Sequence, residues 1–461
     1  MNIKIITALF FAVFCFLKAE SAFAKVSAEK AALLGSVLTP MGAQKEGNEN
    51  GTIPAYTGKI VGTPFWVDYQ GGGQHYPNCY ANEKPIFTIT ASNYQKYSRF
   101  LTPGLMAMFE RYPQTFRMPI YTSHRDAGYS DTIHANTAKN AVRAELMGEL
   151  KGVVKAFGGT PFPLPNNGAE AIWNQSVAPM LWDLEAVYDE AAVFPDGKVS
   201  YYQTHDIRYF PYYDEDLNLE KFSAQNSVAA YVWRETTMPF HEAGMILAIQ
   251  QPMNFSDDQR KIWVYSPGSR RVRRAPDYGY DLPYGHGGLR TVDDDLLFNG
   301  PIDRFDWVLE GKREIFIPYH SYDVDNPKLK YKDLLTPFHV DPKYMRYELH
   351  RVWVVHAYVK SDKRHIYHER VFFLDEDSWH AVYADNYDAK GNLWRTHVKN
   401  MVNAYDMPGM VGRLLIYHDL TERSYYVGNL INQQPKAPQM PLKPYRGRFF
   451  TPQGLRMNGR G

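Results

Sequence analysis

The chain has 461 residues with 51 basic and 50 acidic side chains, so its formal net charge is +1. This balance gives no global reason to bind nucleic acid, and we expect no nucleic-acid partner. Aromatic residues make up 15% of the chain, and such large, half-polar rings suit wide sheets or clefts that hold apolar ligands.

Residues 1–24 have the pattern of a secretory signal peptide. Lys4 supplies a positive start, residues 5–17 are almost entirely apolar, and Ala22-Phe23-Ala24 is an Ala-x-Ala cleavage signal. The apolar run is shorter than the roughly 20 residues that a membrane-spanning helix needs. We therefore expect cleavage after Ala24 and export to the periplasm. The alternative is an uncleaved membrane anchor. After cleavage Cys79 is the remaining cysteine, and we expect a small apolar filler rather than a catalytic thiol.

Residues 25–198 are predicted to form a mixed helical and loop region. Ser27 can cap a short helix that runs through Leu34. Further helices are predicted within 90–112, over 131–151 and over 170–184, with segments rich in glycine and proline between them.

Residues 199–432 are predicted to form a large antiparallel sheet. Aromatic and β-branched residues recur there in short runs, and short turns between such runs favour antiparallel neighbours. The predicted strands are 201–202, 245–250, 262–265, 307–310, 314–318, 347–360, 365–374, 379–386, 393–402, 412–418 and 424–430. Residues 433–461 are rich in proline, glycine and basic side chains, and we expect a tail that is either extended along the surface or disordered.

The sequence contains no familiar catalytic or metal-binding motif. Gly-x-Ser-x-Gly, a P-loop, His-Glu-x-x-His and an EF-hand loop are all missing from it. His365 and His368 would face opposite sides of a strand, so we expect surface histidines rather than a shared metal ion. The acidic run 293–295 is expected to be a solvated turn, and a weak calcium site is the alternative. We predict no metal, no cofactor and no catalytic residues.

Residues 259–276 form the most distinctive stretch. A strand of Ile, Trp, Val and Tyr meets a Ser-Pro-Gly-Ser turn and returns as four arginines around one valine, which predicts a β-hairpin. Alternation places Arg271 and Arg273 on one face and Val272 on the other. If Val272 faces the core, Arg271 and Arg273 point to solvent and can contact an anion or a partner. Pairing with local carboxylates is the alternative.

Several ordered segments resemble the domain-of-unknown-function family 1329, whose members are exported proteins of Gram-negative bacteria. Besides the hairpin, the segments are 26–43, 47–58, 112–119, 298–307 and 375–379. Members are often described as similar to the outer-membrane lipoprotein-sorting (Lol) carriers. The resemblance implies an α+β fold, in which a large antiparallel half-open β-barrel shelters an apolar ligand on a concave face covered by helices. It also implies a resistance-nodulation-division type transporter and an outer-membrane protein as partners.

The leading hypothesis is a non-catalytic periplasmic carrier or accessory protein, peripheral at the outer membrane, that binds a hydrophobic small molecule or lipid. An exported hydrolase with an aromatic-lined cleft is the alternative, and an outer-membrane β-barrel is disfavoured by the proline-rich tail. Large aromatic side chains on predicted strands are the candidate ligand contacts, although alternation does not say which face is concave and core packing can explain each of them. These candidates are Trp263, Tyr265, Trp307, Phe316, Trp353, Phe372 and Trp379.

Overall fold

The computed structural model describes residues 26–148, 152–180, 183–255, 260–275, 278–407, 409–441 and 443–459. The predicted signal peptide, residues 1–24, lies outside these ranges. The helices are α1 (Ala28–Ala31), α2 (Pro103–Arg111), α3 (Asp131–Arg143), α4 (Gly168–Ser176), α5 (Leu219–Ala224), α6 (Tyr331–Leu334) and α7 (Pro452–Asn458). Short 3-10 helices span Tyr94–Phe100, Pro211–Tyr213, Phe240–Glu242, His286–Gly288, Val292–Leu297, Tyr322–Asp325 and Pro342–Tyr344. No helix in the described part of the chain is long and apolar enough to cross a membrane.

The strands carry most of the architecture. They are β1 (Phe87–Thr90), β2 (Arg117–Ile120), β3 (Glu145–Met147), β4 (Gly152–Val154), β5 (Asp183–Val193), β6 (Val199–Tyr209), β7 (Val228–Met238), β8 (Ile246–Pro252), β9 (Lys261–Ser266), β10 (Arg271–Arg274), β11 (Pro283–Tyr284), β12 (Arg290–Thr291), β13 (Phe305–Pro318), β14 (Tyr347–Val359), β15 (Glu369–Asp375), β16 (Ala381–Tyr387), β17 (Leu393–Ala404), β18 (Gly409–Asp419) and β19 (Ser424–Leu430).

Among the described residues, 15 strands join in one sheet in the order β1-β2-β14-β15-β16-β17-β18-β19-β5-β6-β7-β8-β9-β10, and β13 pairs with β14 beside this path. The pairing is antiparallel except for a parallel bridge between Ile120 of β2 and Tyr347 of β14. The end strands β1 and β10 do not pair with each other in the described part of the chain, so the barrel stays half-open. The predicted α+β class with a large antiparallel half-open barrel is confirmed.

Helices lie on both faces of the sheet rather than on the concave face alone. The helix α4 packs on β13 and β14, and a Cβ atom on its first residue, Gly168, would lie 2.7 Å from the backbone carbonyl carbon of Trp307. Only glycine allows this approach. On the other face α2 packs against β17, and the Gly104 amide donates a hydrogen bond to Asp385 at 2.8 Å. We call the face that carries α4 the cavity face.

The structure corrects several predicted elements. The helix predicted over 131–151 ends at Arg143, and the one predicted over 170–184 ends at Ser176, shortly before Pro179. The strands β5 and β7 were not predicted. For β5 the reason is its alanine- and glutamate-rich sequence, which has a low intrinsic strand preference. Pairing on both sides, with β19 and β6, outweighs that preference. Since β1, β2 and β5 belong to the sheet, the sheet does not begin at the predicted boundary after residue 198.

The C-terminal tail is docked rather than disordered. Phe450 and Leu455 are buried against the face opposite the cavity face, where they pack with Trp233 and Tyr265. The helix α7 begins at a capped turn in which the Thr451 hydroxyl accepts a hydrogen bond from the Gly454 amide at 3.1 Å. The tail therefore closes the outer side of the strands β6–β9.

Replacing Leu455 with alanine should release this tail. Leu455 is fully buried, so its truncation should remove about 2–4 kcal/mol of docking free energy. Tryptic cleavage after Arg456, which follows local opening, should become roughly a hundredfold faster. Met457→Ala is the matched control, because Met457 is 76% exposed on the same helix. Equal cleavage rates for the two variants would contradict the docked tail.

Candidate ligand-binding site

Two adjoining chambers lie on the cavity face. The first has a volume of about 90 Å³ and lies over β6, β7 and β8. The second has a volume of about 80 Å³ and lies over β5, β6, β17 and β18. Met180, Arg208, Phe210 and Leu296 line both chambers, so the two spaces share a wall.

Strand alternation supplies the apolar lining of the first chamber. Arg208 of β6 pairs with Val232 of β7, and Val232 pairs with Ile249 of β8, so the three side chains form one row on the cavity face. The residues between them, such as Ile207 and Trp233, face the docked tail instead. The remaining apolar lining of this chamber is Val177, Ala178, Ala229, Ala230, Leu247, Val292, Tyr212, Tyr213, Tyr278 and Tyr284.

A larger surface cleft adjoins the chambers. It has a volume of about 570 Å³ and runs between α3 and α5, with Ile133, Phe157 and Leu217 among its apolar lining residues. Met180 lines this cleft as well as both chambers, and Met407 lines the cleft and the second chamber. These unbranched side chains adapt easily to different shapes, so the three spaces meet at a deformable wall.

Charged groups line the chambers as well, and most are paired. Asp206 is fully buried and accepts hydrogen bonds from Arg208 at 2.8 Å and from Arg234 at 2.9 and 2.8 Å. Burial alone would raise the pKa of Asp206, but the two guanidinium groups outweigh burial and hold it well below its usual range. On the far side of the first chamber Asp295 pairs with Arg290 at 3.2 Å.

Residues 290–299, which we call the cover segment, form part of the roof over both chambers. Its two carboxylates Asp293 and Asp294 point to the sheet, where Arg370 of β15 donates hydrogen bonds to them at 3.2 and 2.7 Å. Asp294 also caps the segment by accepting a hydrogen bond from the Thr291 amide at 2.7 Å. The next residues, Asp295 and Leu296, line the first chamber. The prediction of a solvated acidic turn is therefore wrong, because buried cations of the sheet hold these carboxylates.

His365 takes part in the same network. It is buried and its Nε2 lies 3.0 Å from Asp293 Oδ2, so the prediction of a surface histidine is wrong for this residue. Burial would raise the pKa of Asp293, but the charge of Arg370 and the contact with His365 keep it below its usual range. The network keeps the Asp293 carboxylate ionised inside the protein.

One set of described side chains could hold a metal ion away from the chambers. His350, Asp375 and Asp377 are buried with ligand atoms within 4.8 Å of one another. Asp377 is already paired with Arg125, at 2.7 and 2.8 Å. Burial and the charge of Asp377 raise the pKa of Asp375. The bidentate arginine occupies the place that a cation would take at Asp377, so the geometry favours a structural ion-pair network.

The aromatic residues predicted as ligand contacts occupy packed layers instead of the chamber walls. Trp307 and Phe372 stack at 5.9 Å under α4, and Trp353 and Trp379 stack at 6.1 Å nearby. Phe316 packs against the helices of the opposite face, with Phe100 at 5.6 Å. These rings are on or near the sheet as predicted, but helices seal this part of it.

Trp263 and Tyr265 lie on the face opposite the chambers, where they pack with the docked tail. None of the seven predicted aromatic residues is among the lining residues of either chamber. Their contact with a ligand stays a prediction, and core packing accounts for their positions. The alternation of side chains along a strand shows which residues share a face, but not which face borders a cavity. The helices and segments that cover the sheet determine that.

Arg271 and Arg273 are exposed on the edge strand β10, and Val272 is half-buried on the other side of that strand. Arg273 pairs with Val264, and Val264 pairs with Leu247 of the first chamber, so Arg271 and Arg273 share the cavity face with the chambers. They stand at the open edge of the half-barrel. Their role as anion or partner contacts stays a prediction.

Lys399, Arg208, Arg234 and Met180 were not predicted as site residues. The strand β17 was predicted, but it carries several other polar residues, such as Arg395, His397 and Asn400, so no signal in the sequence singles out Lys399. The strand β7 was not predicted, so the position of Arg234 beside the side chains of β6 and β8 could not be inferred. Met180 lies between α4 and β5, in a segment predicted as helix.

The chain matches a family model described as "Protein of unknown function (DUF1329)" over residues 88–456, and it belongs to that family. The family suggested by the sequence segments is thus confirmed. An uncharacterized protein of Pseudomonas aeruginosa is 38% identical over 444 residues, which cover 96% of each chain.

Solved structures show more distant likenesses. A putative outer membrane lipoprotein-sorting protein domain from Vibrio parahaemolyticus is 13% identical with a TM-score of 0.42, covering 63% of this chain and 98% of that one. A DUF1329 family protein from Desulfovibrio piger is 14% identical with a TM-score of 0.41, covering 62% and 95%. A LolA superfamily protein from Nitrosomonas europaea is 13% identical with a TM-score of 0.37, covering 62% and 98%.

Replacing Arg370 with methionine should strongly destabilise the protein. The change leaves Asp293 and Asp294 buried beside a neutral side chain, and uncompensated buried charge typically costs about 3–5 kcal/mol. Urea unfolding at neutral pH measures the loss. Arg273→Met is the matched control and should change the unfolding free energy by less than about 0.5 kcal/mol, since Arg273 is exposed. A similar midpoint for both variants would contradict the anchoring role of Arg370.

Proposed function

We propose that this protein is a periplasmic, non-catalytic carrier or accessory protein that binds a hydrophobic or amphipathic, lipid-like ligand on the cavity face. The observation that carries the proposal is the pair of adjoining chambers between the half-open sheet and the cover segment. Both are lined mainly by apolar side chains, and the cover segment is anchored by its own ion pairs. The predicted signal peptide supports export.

Burial of hydrocarbon supplies enough free energy for such a role. Each CH₂ group transferred from water contributes roughly 0.8 kcal/mol, so a chain of several carbons binds without covalent chemistry. The chambers of about 90 and 80 Å³ have room for a few carbons each, and the cleft of about 570 Å³ beside Met180 has room for the rest of a ligand. Entry through the cleft requires Met180 and Met407 to move aside.

The exported hydrolase weighed from sequence finds little support in these chambers. Glycoside chemistry needs two carboxylates across a cleft. Among the described lining residues of the two chambers, Asp295 is the only one with a carboxylate, and this carboxylate is paired with Arg290. The chambers therefore favour binding over hydrolysis, whereas the surface cleft is lined by the carboxylates of Asp214, Glu215, Glu220 and Asp406.

A partner at the open edge of the sheet completes the proposal. A carrier must exchange its ligand with a membrane or with another protein, and the resemblance suggests a resistance-nodulation-division type transporter and an outer-membrane protein. Arg271 and Arg273 stand on the cavity face at that edge, where they can meet an anionic surface. Exposed guanidinium groups there would orient the protein with its chambers toward the partner.

Replacing Met180 with tryptophan should block ligand entry. The larger ring fills the wall shared by the cleft and both chambers, so uptake of the apolar dye N-phenyl-1-naphthylamine should fall at least roughly tenfold, which corresponds to about 1.4 kcal/mol. Dye fluorescence measures binding, and Met457→Trp on the exposed side of α7 is the matched control. If the folded wild-type protein takes up no apolar dye, the carrier function is wrong.

Changing Arg271 and Arg273 together to alanine should leave folding intact and weaken membrane association. The expected loss on phosphatidylglycerol-containing vesicles is on the order of 1 kcal/mol per arginine or less, and it should fade as ionic strength rises. Vesicle co-sedimentation at two salt concentrations and thermal melting provide the measurements. The control is the pair Arg270→Ala and Arg274→Ala, which removes the same charge from the other side of the turn and strand. Equal losses for both pairs would show that only net charge matters.

A further inference from the structure

Lys399 differs from the other charged residues of the second chamber because it has no charged partner. Its side chain is 1% exposed, and among the described residues no hydrogen bond or ion pair engages its ammonium group. Arg413 is paired with Asp325 at 2.8 Å, and Arg208 is paired with Asp206 at 2.8 Å. A lone ammonium group inside a protein is unfavourable by several kcal/mol, so its presence needs a reason.

The backbone makes room for this lysine. Lys399 lies on the cavity face of β17, with the same parity as His397, which pairs with Tyr417 of the cavity-face core. On the neighbouring strand a Cβ atom at Gly412 would lie 2.6 Å from Cδ of Lys399, so only glycine leaves space for the lysine stem. Gly412 and Lys399 both line the second chamber. The glycine directs the lysine along the chamber wall.

The chamber as a whole is basic. Its described lining contains Arg208, Lys399 and Arg413 but no carboxylate. A second donor is also free, because the buried Nε of Arg208 has no hydrogen-bond partner. His380 lines the chamber too, and burial followed by the charge of Lys399 lowers its pKa to about 3, so it is neutral at physiological pH. The chamber therefore offers positive charge and unused donors to an incoming oxyanion.

We propose that the second chamber binds the carboxylate or phosphate head group of a single-chain anionic amphiphile, with Lys399 as its charged partner, the first carbons of the chain in the first chamber and the remaining carbons in the surface cleft beside Met180. This rests on the proposed carrier function and narrows its ligand class. The wall shared through Arg208, Phe210 and Leu296 sets the head group beside the chain. The chambers, of about 80 and 90 Å³, have room for a head group and the first few carbons, and the cleft of about 570 Å³ beside Met180 has room for the rest of the chain.

Three ligands with the same chain test the charge requirement. Dodecanoate and dodecyl phosphate should bind the full-length mature protein roughly tenfold to a hundredfold more tightly than dodecanol in calorimetric titrations, the gain of a charge-assisted hydrogen bond. Lys399→Met should reduce both anions to the affinity of dodecanol and leave dodecanol unchanged. Its urea midpoint should not fall, since a lone buried ammonium group is removed. Lys390→Met, at an exposed turn, is the matched control and should preserve the preference.

A measurement on the unaltered protein is independent of the folding of any variant. Burial lowers the pKa of Lys399 to about 7, partly opposed by Asp295, so at pH 8 the amine of the free protein is mostly neutral. An anion beside it raises that pKa again. The nearby Arg208 and Arg413 stay charged and His380 stays neutral. Dodecanoate binding, measured in two buffers of different ionisation enthalpy, should therefore take up close to one proton, and dodecanol should take up none.

The outcomes separate this inference from the carrier function. If dodecanol, dodecanoate and dodecyl phosphate all fail to bind, the carrier function itself is wrong. If dodecanol binds but the anions gain nothing, or if Lys399→Met keeps the preference and no proton is taken up, the head-group site is wrong and the carrier function stands. If inorganic phosphate or acetate binds as tightly as dodecyl phosphate, the chamber is a small-anion site and the amphiphile is wrong.

Discussion

The ion pairs of Arg370 with Asp293 and Asp294 are the interaction on which the candidate site depends most. The cover segment, which consists mainly of the short strand β12 and one 3-10 helix, can cover a cavity only if its polar groups are satisfied, and these carboxylates find their partners on the sheet itself. Because the Asp293 and Asp294 carboxylates point to the sheet, the following residues Asp295 and Leu296 are held over the chambers. The roof is thus fixed by charge, and the space beneath it remains open to hydrocarbon.

The covering layers divide the cavity face into a sealed part and an open part. Over β13 and β14, α4 approaches the sheet closely at Gly168, and buried aromatic and aliphatic side chains fill the interface. The first chamber lies over β6–β8 and the second over β5, β6, β17 and β18, and the cover segment forms part of the roof of both. On the opposite face the docked tail supports the same strands through Phe450 and Leu455. The tail packs on one face of these strands, and the cover on the other face leaves cavities. A ligand can therefore enter without disrupting the packed core.

Much of the fold could be predicted from the sequence, while most of the site could not. Short turns and period-2 runs predicted β14–β19, since those strands are long and their neighbours in sequence pair in space. The strand β5 was missed because its Ala- and Glu-rich sequence has no intrinsic strand preference and is held by pairing. The choice of Trp307, Phe372 and similar rings as ligand contacts rested on size, yet large rings fill sealed interfaces best. Lys399 is the residue that points to a head-group site. Its role could not be predicted, because it depends on the space left by Gly412 and on the absence of a carboxylate among the described lining residues of the second chamber.

A crystal structure with a short-chain, bromine-terminated alkyl carboxylate tests the central claim most directly, because bromine is located by its anomalous scattering. The account predicts a bromine peak in the first chamber, among Val232, Leu247 and Ile249, with Met180 displaced and the carboxylate in the second chamber. Bromine bound only at the surface, with both chambers unchanged while the protein remains folded, would contradict the account.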